Sequence, residues 1–187
     1  MNLNDWFNKG MTLDQYIEGM KVNREEMLRI HEQFQLTEEQ RSFAAKLADK
    51  NLRVIVLTAD WCGDAMLCIP ILMRIAEVGK MELRFLIRDD NLELMDQYLT
   101  NGKSRSIPIF IFIDEEGTEQ AVWGPRAPEV QQFIENLRST LPPKEDPTFE
   151  EKQKEMYRQF KKEITSNPER WTQVYNSIED RLSKLVG

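Results

Sequence analysis

The chain has 187 residues, 41% hydrophobic and 30% charged, with a net charge of −7 at neutral pH and a pI near 5.0. That size and balance suit one ordinary domain with a proper core, plus an appendage at most. The acidity argues against binding nucleic acid or docking on anionic lipid, and no apolar run approaches the ~18 residues of a membrane-spanning helix.

The opening MNLNDWFNKGMTLDQ is polar and lacks the apolar stretch of a secretion signal. With two cysteines in the whole chain and no disulfide-scaffold spacing, a reducing, cytoplasmic location is expected. Residues 1–50 read as a helical extension. Thr12-Leu13-Asp14-Gln15 and Thr37-Glu38-Glu39-Gln40 have the capping-box form, in which hydroxyl and N3 side chain satisfy each other's orphan amides. Leu13, Tyr16, Ile17 and Met20 recur at helical spacing, then Met27, Ile30 and Phe34, then Phe43 and Leu47. The one histidine, His31, lies on this amphipathic stretch with no partner suggested, so a surface position is expected.

From Leu52 the pattern changes. Leu52 to Leu57 is a short apolar run rich in β-branched residues, as a buried strand should be. A helix is predicted from about Gly63 to Val78, a strand over Glu82–Ile87 and a short helix over Asn91–Leu99. A third strand covers Ile107–Ile113, and Asp114-Glu115-Glu116-Gly117 is a turn in which Gly117 takes positive φ. Thr118–Trp123 returns antiparallel, and Pro128–Leu141 is a helix with proline in its first turn. The order β-α-β-α-β-β-α places residues 51–141 in the α/β class, with crossover helices implying parallel pairing and the final hairpin an antiparallel one. A mixed sheet of four or five strands with helices on both faces is expected.

Residues 142–148 hold three prolines and form a linker. Residues 149–187 then read as a helical pair. Phe149, Met156, Tyr157, Phe160 and Ile164 mark the first stripe; Trp171, Val174, Tyr175, Ile178, Leu182 and Leu185 mark the second. Such stripes are expected to pack on the preceding domain, the alternative being a homodimer contact, because the second is nearly heptad over two turns.

The chemistry centres on Thr58-Ala59-Asp60-Trp61-Cys62-Gly63-Asp64-Ala65-Met66-Leu67-Cys68-Ile69-Pro70, which contains both cysteines. With Cys62 opening a helix, Cys68 lies about 240° round and roughly 9 Å along it. A disulfide needs Cα atoms within about 7 Å, so no bridge is expected. A cysteine at a strand-to-helix junction meets free amides and the positive end of the helix dipole, which favours the thiolate and lowers its pKa. Trp61 is expected to shield one side of it and Gly63 to admit a partner backbone. Asp64 reads first as a helix cap, though its charge opposes thiolate formation. Cys68 reads as a small core hydrophobe.

On these residues the chain resembles the thioredoxin family. Ala59-Asp60-Trp61-Cys62-Gly63 matches its A-x-W-C-G signature, and Pro70 the proline of its active-site helix. Ser106-Ile107-Pro108 looks like its cis-proline loop, which sets backbone groups against substrate, and Gly124 its glycine beside the groove. The resemblance covers residues 52–141 and implies a thioredoxin-like fold. The departures bear on function. Ala65 stands where the family carries its second, resolving cysteine, and Val56 where many members keep a buried acid. Trp61-Cys62-Gly63-Asp64-Ala65 resembles a bacterial subgroup with this single-cysteine string.

The resemblance implies a monothiol thiol–disulfide oxidoreductase of cell redox homeostasis. Cys62 would be the nucleophile, Ile107, Pro108 and Gly124 the substrate-binding residues. Its partners would be disulfide-containing or S-thiolated proteins and a small recycling thiol, with no cofactor, metal, nucleic acid or membrane involved. The alternative is a binding module that keeps the peptide groove for partner recognition. Gly102-Lys103-Ser104 lacks the first glycine of a phosphate loop, and Asp89-Asp90-Asn91 the glycine and bidentate glutamate of a calcium loop.

Overall fold

The two predicted capping boxes form. In a computed structural model describing residues 2–187, Thr12 Oγ1 accepts from the Gln15 amide at 3.2 Å and Thr37 Oγ1 from the Gln40 amide at 3.1 Å. They open α2 (Leu13–Gly19) and α4 (Glu38–Leu47); α1 (Leu3–Lys9) and α3 (Arg24–Gln33) complete the N-terminal set. A third capping box, Asn2 with Asp5, starts α1. His31 is not free on the surface: its Nε2 lies 2.6 Å from Glu77.

The remaining elements run β1 (Arg53–Thr58), α5 (Gly63–Gly79), β2 (Glu82–Ile87), α6 (Leu92–Met95), β3 (Ile109–Ile113), β4 (Glu119–Trp123), α7 (Pro128–Ser139), α8 (Phe149–Ser166) and α9 (Pro168–Val186). They give the α/β, thioredoxin-like arrangement: a four-stranded mixed sheet in the order β2-β1-β3-β4 with helices packed around it. Strands β1 and β2 pair in parallel, whereas β3 lies antiparallel to β1 and β4 antiparallel to β3. The connection between β2 and β3 carries no crossover helix, α6 being four residues long, and the chain enters β3 from the end at which it left β2. The predicted helix to Leu99 stops at Met95 because the backbone tightens into three-residue turns, Gln97 N–H to Leu94 and Tyr98 N–H to Met95. Strand β3 starts at Ile109 rather than Ile107, since Pro108 has no amide to offer the ladder. A fifth strand is reduced to one residue among the described residues. Met11 exchanges two 2.9 Å backbone hydrogen bonds with Phe85 and covers the open edge of β2.

Strand β3 is buried at all five positions and β1 at all but its first, as strands covered on both faces should be. Helices α3, α4 and α9 pack on α5, while α1 and α2 pack on β2. The α9 stripe belongs to this core. Val174, Ile178 and Leu182 are fully buried, each worth about 1.5–3 kcal/mol against exposure. Its neighbours are α5, α7 and β4. Tyr157 departs from its predicted stripe and stands 48% exposed. No helix among the described residues is long and apolar enough to cross a membrane.

Candidate functional site

Strand β1 ends at Thr58, whose hydroxyl lies 3.0 Å from that of Tyr16, and Tyr16 stacks on Phe85 at 4.7 Å. The loop after it is fastened from α2–α3: Asp60 accepts from the Lys21 amide at 2.8 Å and from Asn23 Nδ2 at 3.0 Å. This presents Cys62 as the N-cap of α5. Its Sγ accepts from the Ala65 amide at 3.4 Å and donates to the Ile107 carbonyl at 3.5 Å. Ile107–Pro108 is cis and faces the sulfur, as the resemblance implies. Gly124 closes the group. It holds φ at +133°, and a Cβ there would lie 2.2 Å from the Pro108 carbonyl oxygen, so only glycine lets β4 end against this loop. Cys62, Ile107, Pro108 and Gly124 thus meet at one place from three separate segments.

Cys68 is fully buried in α5, its Sγ 3.8 Å from the Pro125 carbonyl. Both cysteines are free thiols. Ala65 is buried at the position of the absent second thiol.

Expectations are corrected at Cys62, Gly63, Asp64 and Trp61. The Cys62 thiol is not depressed: burial first, and then the Asp64 charge, push it up from the ordinary 9.0 to about 11. The Ala65 and Asp64 amides and Arg126 pull the other way and lose. With Cys62 8% exposed, desolvation outweighs the helix terminus. Gly63, expected to admit a partner backbone, faces α8 instead; a Cβ on it would lie 3.7 Å from Phe160 and 3.9 Å from Ile164.

Asp64 does not cap the helix. Its carboxylate takes the Arg126 guanidinium through Nε at 3.0 Å and Nη2 at 2.8 Å, and Arg126 Nη1 donates to Gln131 at 2.9 Å. Burial pushes the Asp64 carboxyl up while Arg126 draws it down. Sequence reasoning missed Arg126. The cis Gly124–Pro125 bond immediately before it was equally unmarked, although Gly-Pro-Arg-Ala-Pro was a visible turn signal. Trp61 shields less than expected. It is 55% exposed, with the Arg88 guanidinium 5.0 Å from its ring centroid.

Cys62 lines two clefts. One, about 730 Å³, runs from Cys62 between Trp61, Arg138 and α8. The other, about 440 Å³, follows Ser106, Ile107 and Pro125 and is flanked by Arg88 and Arg105. A thiol between two clefts, beside an amide and a carbonyl in fixed positions, can exchange partners across a disulfide: one half on each side.

A family model described as thioredoxin matches residues 10–138, so it takes in α2 to α4 and leaves out α8 and α9. Among curated proteins nothing matches the chain. A crystal structure of a protein of unknown function from Pseudomonas aeruginosa superposes with a TM-score of 0.62 at 15% identity, over 96% of this chain and 98% of that one. An HIV epitope-scaffold gives 0.60 at 15% identity, over 96% and 99%. These likenesses are of fold, and they extend through the terminal helices.

Proposed function

Because the chain belongs to the thioredoxin family, we propose that it is a monothiol thiol–disulfide oxidoreductase whose one nucleophile is Cys62. The observation that carries this reading is the position of Cys62, which lines two clefts and holds Sγ 3.4 Å from the Ala65 amide and 3.5 Å from the Ile107 carbonyl. The Cys62 thiolate attacks the sulfur of a mixed disulfide that carries a small thiol. The S–S bond breaks, the protein leaves as thiolate, and the small thiol remains joined to Cys62. A second small thiolate then attacks the adduct sulfur. This releases the symmetric small disulfide and regenerates Cys62, so two electrons pass from the small thiols to the substrate. Trp61, Gly63 and Asp64 frame the nucleophile. Ile107, Pro108 and Gly124 form the wall on which the protein half lies. Ala65 supplies no resolving thiol, so the external thiol is obligatory.

The raised thiol pKa favours a binding module, but only weakly. Two units cost about 100-fold in thiolate, but with a Brønsted slope near 0.45 the more basic thiolate is roughly tenfold more nucleophilic. The net deficit of ~10-fold is small beside what positioning in a cleft can supply. Turnover decides between the readings. An S-thiolated peptide with excess small thiol at pH 7.5 should be cleared faster than the uncatalysed background. The rate should climb with pH toward the Cys62 value of about 11. Background-level clearance at every pH would leave the binding module.

A further inference from the structure

Building on the reading of Cys62 as nucleophile, we propose that the larger cleft beside it is the seat of a low-molecular-weight, carboxylate-bearing thiol, and that α8 builds this seat. At about 730 Å³ the space is that of a small-molecule site rather than a protein groove. One wall is the start of α5 and the other is α8 together with Ile134 and Arg138 of α7, with Phe160 and Ile164 standing over Gly63.

Exposure and charge point to the occupant. Among the described residues four large hydrophobic side chains are well exposed, and three of them, Val22, Trp61 and Tyr157, line this one cleft. They offer apolar cover to a short aliphatic backbone. Arg126, Arg138 and Lys161 also line it, with Asp64 as the one acid. Arg126 is taken by Asp64, and Lys161 lies 3.5 Å from Glu26. Arg138 makes no ion pair among the described residues and remains open to a ligand carboxylate. In a chain of net charge −7, a cation-lined cleft at the nucleophile selects an anion.

The site is therefore divided at the sulfur. The small thiol's half of the mixed disulfide lies against α8, and the protein half lies in the cleft along Ile107. When Cys62 attacks, the S–S bond breaks toward the Ile107 side. The protein thiolate departs there while the small thiol stays bonded to Cys62 in its own seat. A second molecule of the small thiol then releases it as the symmetric disulfide.

The probes are S-methylglutathione, which cannot exchange, and two disulfides of opposite charge, glutathione disulfide and cystamine, all at low salt. Calorimetry on the full chain should show S-methylglutathione binding, weakened at least about tenfold in the Arg138→Glu/Lys161→Glu variant. Mass-spectrometric labelling of Cys62 should favour glutathione disulfide over cystamine in the wild type and reverse that preference in the variant. No binding of S-methylglutathione, or a charge preference that the variant leaves as it was, overturns the proposal. So does a peptide disulfide that labels Cys62 faster than glutathione disulfide, because a protein loop is then the occupant. Binding without any labelling of Cys62 would strike the oxidoreductase reading and leave the anion seat standing.

Discussion

Cys62→Ser is expected to lower small-mixed-disulfide turnover by at least ~100-fold, while Cys68→Ala keeps the rate within about twofold. A serine hydroxyl in the N-cap position cannot ionise at working pH and forms no disulfide. Cys68 is a bystander by placement: it is fully buried, its Sγ is turned to the Pro125 carbonyl, and burial holds its thiol far above the ordinary range. Removing its sulfur should instead leave a small cavity costing about 1 kcal/mol, read by urea unfolding. The same logic gives the reverse experiment. Ala65 lies one helical turn from Cys62, with its amide 3.4 Å from Sγ, so Ala65→Cys places a resolving thiol within bridging distance. Reduction of a protein disulfide should rise in that variant. It should stay modest, because Val56 in the buried strand offers the new thiol no proton acceptor. A Cys68→Ala protein that is folded and as inactive as Cys62→Ser would end the monothiol mechanism.

What the sequence disclosed follows from the range of each interaction. Capping boxes are written in four consecutive residues, and both that were expected form. The N-cap place of Cys62, the cis bond at Pro108 and the glycine at 124 were legible because each sits in a local string that resembles a family motif. The sense of β3 was misread, since it depends on where the connection after β2 delivers the chain rather than on any residue in the strand. Tyr157 was misread because helical spacing marks a face without saying what covers it. Arg126 was missed for a different reason. Its partner Asp64 lies 62 residues earlier in the chain, and neither end of such a pair announces the other. The thiol's pKa inherits that blindness: the helix terminus was visible in the sequence, whereas the burial that defeats it involves the cis-proline loop, whose Ile107 carbonyl lies 3.5 Å from Sγ from 45 residues away.

The Asp64–Arg126 pair yields the second large effect, because its two halves act on Cys62 with opposite sign. Arg126→Met keeps the volume but leaves the Asp64 carboxylate, 10% exposed, without its cation. Breaking a buried pair from one side costs about 3 kcal/mol, so chemical denaturation at pH 7 should register a loss of that order. The deficit should shrink as pH falls, because the orphaned carboxyl then takes up a proton. Cys62 should alkylate more slowly in this variant, having lost a cation and kept an anion. Asp64→Asn does the reverse. It removes the charge that ranks just behind burial in raising Cys62 and leaves Arg126 anchored on Gln131. Alkylation at pH 8 should therefore quicken, though by less than the gain in thiolate, because a less basic thiolate is a weaker nucleophile. Stability follows by linkage. A thiol whose folded value, about 11, lies above the ordinary 9.0 stabilises the fold fully below pH 9 and loses that contribution as pH rises to 11. At two units the loss is about 2–3 kcal/mol. Tyr16, raised to about 12, adds its own loss above pH 10, so the Cys62 share is the difference between wild type and Cys62→Ser. Asp64→Asn should narrow that difference. If both variants shift Cys62 alkylation in the same direction, the pair does not govern the thiol, and burial alone sets its proton.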